Sequence, residues 1–214
     1  VNYIPGLETA DLTELLIPGE EEEDTEILRK RYFDSFHSQA FGGNKKDYMD
    51  KTHSIPGVGA VKVAPVWNGA GTVKLTILDA GFRKADRALI EKVQQVIDPL
   101  QDGGGDGLAP IGHVVTVDTP REFPVTVAVQ ALYDTGYSFE ELHSQMAQAV
   151  DNYLGSLREQ WEGQESLAIR QAQIEARLLS IEGIIDLSLV TLNGKTENII
   201  LDAAEIPVSG GVTL

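Results

Sequence analysis

The sequence predicts an α+β fold in which two helix-plus-β-hairpin modules flank an α-β-β-α, ferredoxin-like insert. The main observation is an internal repeat, because Ser54-Ile55-Pro56-Gly57 is echoed by Ser180-Ile181-Glu182-Gly183 about 126 residues later. Each copy precedes an alternating apolar segment that ends at an Asn-Gly pair, which is the strongest short signal for a hairpin. Between the copies, two helical patterns enclose two further alternating segments.

Four parts of the chain follow from this pattern. Residues 1–23 are predicted to form an N-terminal arm or linker and residues 24–83 the first helix-hairpin module. Residues 84–161 form the α-β-β-α insert domain, and residues 162–214 form the second helix-hairpin module. A spacing of about 126 residues is far beyond solenoid periods, so we expect the second module to pack with the first rather than stack in an array.

An acidic run crosses the boundary between the arm and the first module, since six of the seven residues 20–26 are acidic. These acids lie at the positive end of a helix predicted over about 24–38, which favours a solvated helix start over a cation site. Asn44 is expected to cap a second helix that runs to about Thr52. Strands over about 58–67 and 72–78 then form a hairpin around Asn68-Gly69.

The insert is predicted to start with a helix over about 84–97, followed by a Gly-rich surface loop over 101–110. Strands over about 113–119 and 123–133 come next. Ser138 begins a long helix with a capping box, and helical spacing places one apolar face toward the core. The members of that face are Phe139, Leu142, Met146, Val150, Tyr153, Leu154, Leu157 and Trp161.

The second module is predicted as a helix over about 167–180 and strands over about 184–192 and 198–201, separated by Asn193-Gly194. In both modules the glycine of Ile-x-Gly is expected in the left-handed conformation at the helix C-terminus. Because the chain begins at Val1 without an initiator Met, we also expect it to be part of a longer protein.

The composition restricts the function. The chain has 214 residues, 42% of them hydrophobic, with 33 acidic and 17 basic side chains and no Cys. A net charge of −16 argues against nucleic acid and anionic membrane surfaces as partners, since both require clustered Lys and Arg. The absence of Cys excludes thiolate metal sites and Cys nucleophiles, and no apolar run is long enough to predict membrane insertion.

No catalytic, cofactor-binding or metal-binding residue is predicted. The four histidines His37, His53, His113 and His143 are scattered without metal-ligand spacing. The Gly-rich segment 102–107 lacks the Gly-Lys-Ser/Thr of a phosphate loop, and one Gly-Asp copy is a weak calcium signal. Glu140 and Glu141 point to different helix faces, and Trp67 and Trp161 are interpreted as core or interface anchors.

Several motifs in order resemble the baseplate J family of contractile phage tails and related injection machines. They cover most of the chain from Asp24 onward and comprise Asp24–Arg31, Gly42–Tyr48, Ile55–Val58, Val63–Val73, Ala109–Gly112, Ile181–Ile184, Asn193-Gly194 and Glu205–Val208. Family members generally have a longer N-terminal region, which fits the expectation that a segment precedes Val1.

The resemblance implies a structural role and no catalytic residues. Such proteins form baseplate wedges that join in a ring around the hub and couple host contact to sheath contraction. Expected partners are other wedge proteins and neighbouring copies of the chain, with sheath and hub proteins as further candidates. The expected location is the virion tail baseplate or a tail-like particle assembled in the host cytoplasm. A carbohydrate- or calcium-binding module, or a phage-borne cell-wall hydrolase, remains the alternative.

Overall fold

The computed structural model describes residues 42–214 together with Thr25, Glu26, Leu28, Arg29 and Tyr32. Those five residues are helical, in agreement with the helix predicted over 24–38. The rest of that helix, the predicted arm over 1–23 and His37 lie outside the described residues. No helix in the described part of the chain is both long enough and apolar enough to cross a membrane.

Four helices and eight strands make up residues 42–214, in the order α1 (Lys45–His53), β1 (Val58–Pro65), β2 (Thr72–Asp79), α2 (Arg87–Ile97), β3 (Val114–Asp118), β4 (Arg121–Tyr133), α3 (Phe139–Glu159), β5 (Ala168–Ile169), α4 (Gln171–Leu179), β6 (Ile184–Leu192), β7 (Ile199–Ile200) and β8 (Glu205–Thr213). A single 3₁₀ turn, Trp161–Gly163, follows α3.

The first sheet has the strand order β1-β2-β3. The β1–β2 hairpin is antiparallel, as predicted, and pairs Val61 with Ile77 and Val63 with Leu75. Strand β3 runs parallel to β2, which requires the crossover connection that α2 provides. The helix α1 begins at its predicted cap, where the Asp47 amide donates to Asn44 Oδ1 at 2.8 Å.

The second sheet has the strand order β6-β4-β8, with β6 antiparallel and β8 parallel to the central strand β4. A separate two-stranded ribbon pairs β5 with β7. The sequence interpretation missed β8, and it placed the start of β4 two residues late, because Arg121 already belongs to the strand.

The ferredoxin-like insert is a wrong prediction. Its two strands, β3 and β4, do not pair, because β3 joins the first sheet and β4 is the centre of the second. The chain passes from one sheet to the other at Thr119-Pro120, and the Thr119 hydroxyl donates to the Ile77 carbonyl at 3.1 Å, holding the end of β3 beside β2. The α-β-β-α order is therefore present in the sequence but divided between two sheets.

The second predicted hairpin is also wrong. Asn193 (φ 50°) and Gly194 (φ 77°) form the expected tight turn, closed by the Leu192–Lys195 bridge. The ladder stops there, because β6 pairs with β4 and β7 pairs with β5. The turn signal was correct, but the strand after it was too short to compete with the long ladder that β4 offers.

The Ile-x-Gly turns themselves agree with the prediction. Gly57 and Gly183 adopt φ values of 105° and 97°. In each copy the Ser hydroxyl donates to the carbonyl three residues earlier, at 2.6 Å for Ser54 and 2.7 Å for Ser180. In each copy an amide also donates to the isoleucine carbonyl, from Val58 to Ile55 and from Ile184 to Ile181. The repeat is thus a shared local turn, whereas the pairing of the strands that follow differs.

Two hydrophobic cores lie on either side of the first sheet. One, between this sheet and helices α1 and α2, contains Tyr48, Leu75, Ile77, Val93, Ile97 and Val115. The larger core lies between the second sheet and helices α3 and α4 and includes every residue of the predicted α3 face. Ala60 and Leu78 of the first sheet also belong to this larger core, so the two sheets are connected by packed apolar side chains.

Candidate interaction groove

A groove of about 900 Å³ lies between the polar face of the first sheet and the segments 162–166 and 200–204. We call it the lysine groove, because three of the chain's nine lysines line it. Its remaining lining combines apolar walls with three acids. The residues are Lys45, Met49, Val61, Lys62, Val63, Ala64, Lys74, Thr76, Glu162, Gly163, Gln164, Glu165, Ser166, Ile200, Leu201, Asp202, Ala203 and Ala204.

The lysines reach the groove because of strand alternation. In β1 and β2 the residues Val61, Leu75 and Ile77 point into the α1–α2 core, so the intervening Lys62 and Lys74 point to the opposite face. Thr76 shares that face with them, and Lys45 comes from the first turn of α1. The groove therefore occupies the part of this sheet face that neither core covers.

Lys62 forms the floor beside the larger core. Its Nζ atom lies 4.4 Å from the centroid of the Trp161 ring and donates to the Ala203 carbonyl at 3.3 Å. Partial burial lowers the pKa of Lys62, because a desolvated ammonium is less stable.

Lys74 has a carboxylate partner already. Its Nζ atom lies 2.6 Å from Asp118 Oδ2 and 5.2 Å from the centroid of the Trp67 ring. Burial acts to raise the pKa of Asp118, but hydrogen bonds from Lys74 and the Thr119 amide outweigh it, and the pKa is lowered. This pair holds the lysine at the edge of the groove beside the indole.

Glu162 closes one side of the groove. Its Oε1 atom accepts from the Val61 amide at 3.2 Å and lies 2.7 Å from His53 Nε2. The hydrogen bond with Glu162 raises the pKa of His53 above its ordinary value, although burial opposes the shift. This carboxylate is therefore occupied in linking α1 and β1 to the 3₁₀ turn.

The three histidines that the structure describes have separate partners, and His53 pairs with Glu162 as stated above. His113 stacks on Tyr48 and its Nδ1 lies 2.8 Å from the Tyr48 hydroxyl, whereas His143 Nε2 lies 3.1 Å from the Val212 carbonyl. Burial, with the nearby Asp47 and Asp98, raises the pKa of Tyr48 to about 12. In the described ranges, 42–214 and the five helical residues before them, no three His, Asp or Glu side chains are placed to hold a metal ion.

The Gly-rich loop is anchored to the first core. The amides of Leu108 and Ala109 donate to the carbonyls of Val96 and Ile97, at 3.1 and 2.8 Å. Asp98, which is buried, accepts from the amides of Gln101 and Val115. At Gly107 an added Cβ would lie 2.4 Å from the Ile97 carbonyl oxygen, which explains why glycine occurs there.

The predicted anchors have different environments. Trp161 is buried in the larger core, as an anchor should be, whereas Trp67 is partly exposed at the end of the β1–β2 hairpin.

The lysine groove itself was missed by the sequence interpretation. The available signal was the placement of Lys62 and Lys74 at polar positions of two adjacent predicted strands, which requires them to share one face of a hairpin.

Comparisons with known proteins identify the same family as the sequence motifs. A family model described as "Baseplate J-like central domain" matches residues 40–119, and one described as "Baseplate J-like protein C-terminal domain" matches residues 125–214. The boundary between the two matches falls where the chain passes from the first sheet to the second.

Similar proteins occur in Bacillus subtilis (strain 168). "Phage-like element PBSX protein XkdT" is 38% identical and "Uncharacterized protein YqbT" is 37% identical, each over 214 residues. The chain spans 60% of the length of each of these relatives.

A solved structure shares the fold. The cryo-EM structure of the anti-feeding prophage (AFP) baseplate, 6-fold symmetrised, matches with a TM-score of 0.61 at 11% identity, over 90% of this chain and 43% of that chain. The matches to both family models, which account for residues 40–119 and 125–214, show that the chain belongs to the baseplate J-like family.

Proposed function

We propose that this chain is a structural component of a baseplate wedge in a contractile phage tail or tail-like particle. In this proposal it joins neighbouring copies and other wedge proteins in a ring around the hub and helps to couple host contact to sheath contraction. It acts by holding surfaces in fixed positions rather than by catalysis. Its place is the tail baseplate, after assembly in the host cytoplasm.

The observation that carries the proposal is the extent of the family match, which continues through both sheets. The fold likeness to a baseplate structure over 90% of the chain supports the same role. The internal packing also suits a part that transmits force. The two sheets are connected by a continuous apolar core and by the His53–Glu162 pair, so the part formed by residues 42–214 is expected to move as one body.

The domain interpretation is part of this proposal. The modules predicted over 24–83 and 162–214 each carry the Ile-x-Gly turn, and we propose that they present two related surfaces to two neighbours in the ring. The structure of an assembled particle tests this idea. If the outer edges of β1 and β6 contact only other parts of the same subunit, the two-surface proposal is wrong.

Deletion of the gene in a strain that produces the particles tests the function. We expect tails without a complete baseplate, seen by negative-stain electron microscopy, and loss of host killing or infection. Complementation with the wild-type gene should restore both. Contractile particles with complete baseplates from the deletion strain would refute the structural role.

Assays of the purified chain separate this role from the alternatives. A cell-wall hydrolase would release soluble fragments from purified walls, and a calcium-binding module would show a thermal stability shift with Ca²⁺. We expect neither effect from the purified chain, and a clear effect of either kind would favour the corresponding alternative.

A further inference from the structure

The sequence contains two Asn-Gly pairs, Asn68-Gly69 and Asn193-Gly194. Such a pair is chemically labile, because glycine has no side chain to shield its backbone nitrogen from the side-chain amide of the preceding asparagine. Both asparagines lie in exposed turns, and the glycines adopt φ values of 100° and 77°. An added Cβ at either glycine would meet no atom within 4 Å, so neither turn is crowded. The two sites can therefore be compared directly within one chain.

The side chain of Asn193 is held at both polar atoms. Its Oδ1 atom accepts from the Thr126 amide at 2.8 Å, and its Nδ2 atom donates to the Pro124 carbonyl at 3.1 Å. The Asn193 backbone amide donates to the Thr126 carbonyl at 2.9 Å. Both partner residues belong to β4, so this side-chain amide is fastened to the central strand of the second sheet.

The side chain of Asn68 has no such restraint. Among the residues that the structure describes, its amide group forms no hydrogen bond. The Asn68 backbone amide donates to the Thr72 hydroxyl at 3.0 Å, and that hydroxyl donates to the Gly69 carbonyl at 2.7 Å. These contacts hold the backbone of the turn but leave the Asn68 side chain free to rotate toward the Gly69 nitrogen.

We propose that Asn68 is a site of spontaneous deamidation and that Asn193 is protected from the same reaction by its hydrogen bonds. The Gly69 backbone nitrogen bonds to Cγ of Asn68, the Cγ–Nδ2 bond breaks, and Nδ2 leaves as ammonia with the proton that the backbone nitrogen has lost. The product is a five-membered succinimide ring. Water then adds to one of the two ring carbonyl carbons and breaks its bond to the ring nitrogen, which gives aspartate or isoaspartate. No redox change occurs, and water is the co-reactant.

The reaction changes the tip of the β1–β2 hairpin in two ways. It adds a negative charge next to Trp67, whose ring centroid lies 5.2 Å from Lys74 Nζ. In isoaspartate the main chain passes through the former side-chain carbon, so a methylene is inserted into a turn in which Val66 already has a φ of 58°. The hairpin tip of an aged chain therefore differs in charge and in backbone length from that of a newly made chain.

Incubation of the purified full chain at mildly alkaline pH, followed by proteolysis and peptide mass spectrometry, tests the proposal. The mass change on replacing the amide by a carboxyl group identifies each site, and chromatography separates the isoaspartate and aspartate peptides. We expect Asn68 to react about 10- to 100-fold faster than Asn193, because two side-chain hydrogen bonds must break before Asn193 can react. Equal rates in the folded chain, or a faster reaction at Asn193, would overturn the proposal.

The same chain unfolded in urea is the matched control. Unfolding removes the hydrogen bonds of Asn193 and leaves glycine after both asparagines, so we expect similar rates at the two sites. A difference that persists unchanged in urea would show that the neighbouring sequence, and not the fold, protects Asn193. The variant Asn68→Gln should lose the fast reaction without a change in melting temperature, because this exposed side chain has no hydrogen bond to lose. The reaction needs no baseplate partner, so either result leaves the proposed function untouched.

Discussion

Replacing Gly183 by alanine should destabilise the protein more than the same change at Gly57, although the two residues occupy the same turn. Both have a φ near +100°, so an L side chain at either position costs about 1–2 kcal/mol of backbone strain. The difference is in the neighbours. A Cβ at Gly183 would lie 2.5 Å from Cγ of the Tyr137 ring, whereas one at Gly57 would lie 3.1 Å from Leu89 Cδ1, the end of a flexible side chain.

The ring cannot move away easily, because the turn that carries it is tied to the same glycine. The Asp134 amide donates to the Gly183 carbonyl at 3.0 Å, and the Tyr137 amide donates to the Asp134 carbonyl at 3.0 Å. Overpacking of this kind costs about 1–3 kcal/mol. We therefore expect a loss of about 2–5 kcal/mol for G183A and about 1–3 kcal/mol for G57A.

Urea unfolding followed by Trp fluorescence measures both losses. The double variant Y137A/G183A removes the ring and should recover the overpacking part of the loss, giving a coupling free energy of about 1–3 kcal/mol. Equal losses for G57A and G183A, or strict additivity in the double variant, would refute the reasoning from the ring contact.

Three further predictions concern a cap, a titration and the core. Asn44→Ala removes the side-chain cap of α1 and should lower the free energy of unfolding by about 1 kcal/mol, measured by urea denaturation. The folded pKa of His53 is raised by Glu162, so the pair stabilises the fold fully below the unfolded pKa of about 6.5 and loses this contribution as pH rises through the folded pKa. Thermal melting from pH 5.5 to 8.5 should show this loss in the wild type and a smaller one in His53→Gln, and identical pH profiles would contradict it. Leu154→Ala in the larger core should cost about 2–5 kcal/mol, whereas Ile111→Ala, at a side chain 82% exposed, should change stability by about 0.5 kcal/mol or less in the same assay.

Local signals in this sequence predicted local structure well. The cap at Asn44, the β1–β2 hairpin, the apolar face of α3 and the left-handed glycines all depend on residues within a few positions of one another. Strand pairing between distant segments was not predicted. Alternation identified β3 and β4 as strands, but it contains no information about which neighbour each strand pairs with.

The missed strand β8 shows a second reason why the sequence did not predict the whole fold. Its alternation is interrupted by Ser209-Gly210-Gly211, a segment that resembles a loop when read alone. In the structure the register shifts there, between Val125 and Val127 of β4. A Cβ at Gly210 would lie 2.8 Å from the Thr126 hydroxyl oxygen, so glycine permits a close approach of two strands. The groove was missed because its walls come from three parts of the chain that are distant in sequence, residues 45–76, 162–166 and 200–204.

The central position of β4 has a consequence for the order in which the protein can fold during synthesis. All strands of the first sheet are available once the ribosome has passed residue 118. The second sheet must wait for β6 and then for β8, so β4 stays without its final neighbours until residue 213 has been made. Both edges of this apolar strand are open until β6 is complete at residue 192, and the edge that pairs with β8 stays open until residue 213. Pairing over such long sequence separations is slow. A nascent chain of this protein is therefore most exposed to mispairing while residues 134–213 are being translated, and that is the interval in which a chaperone would have most effect.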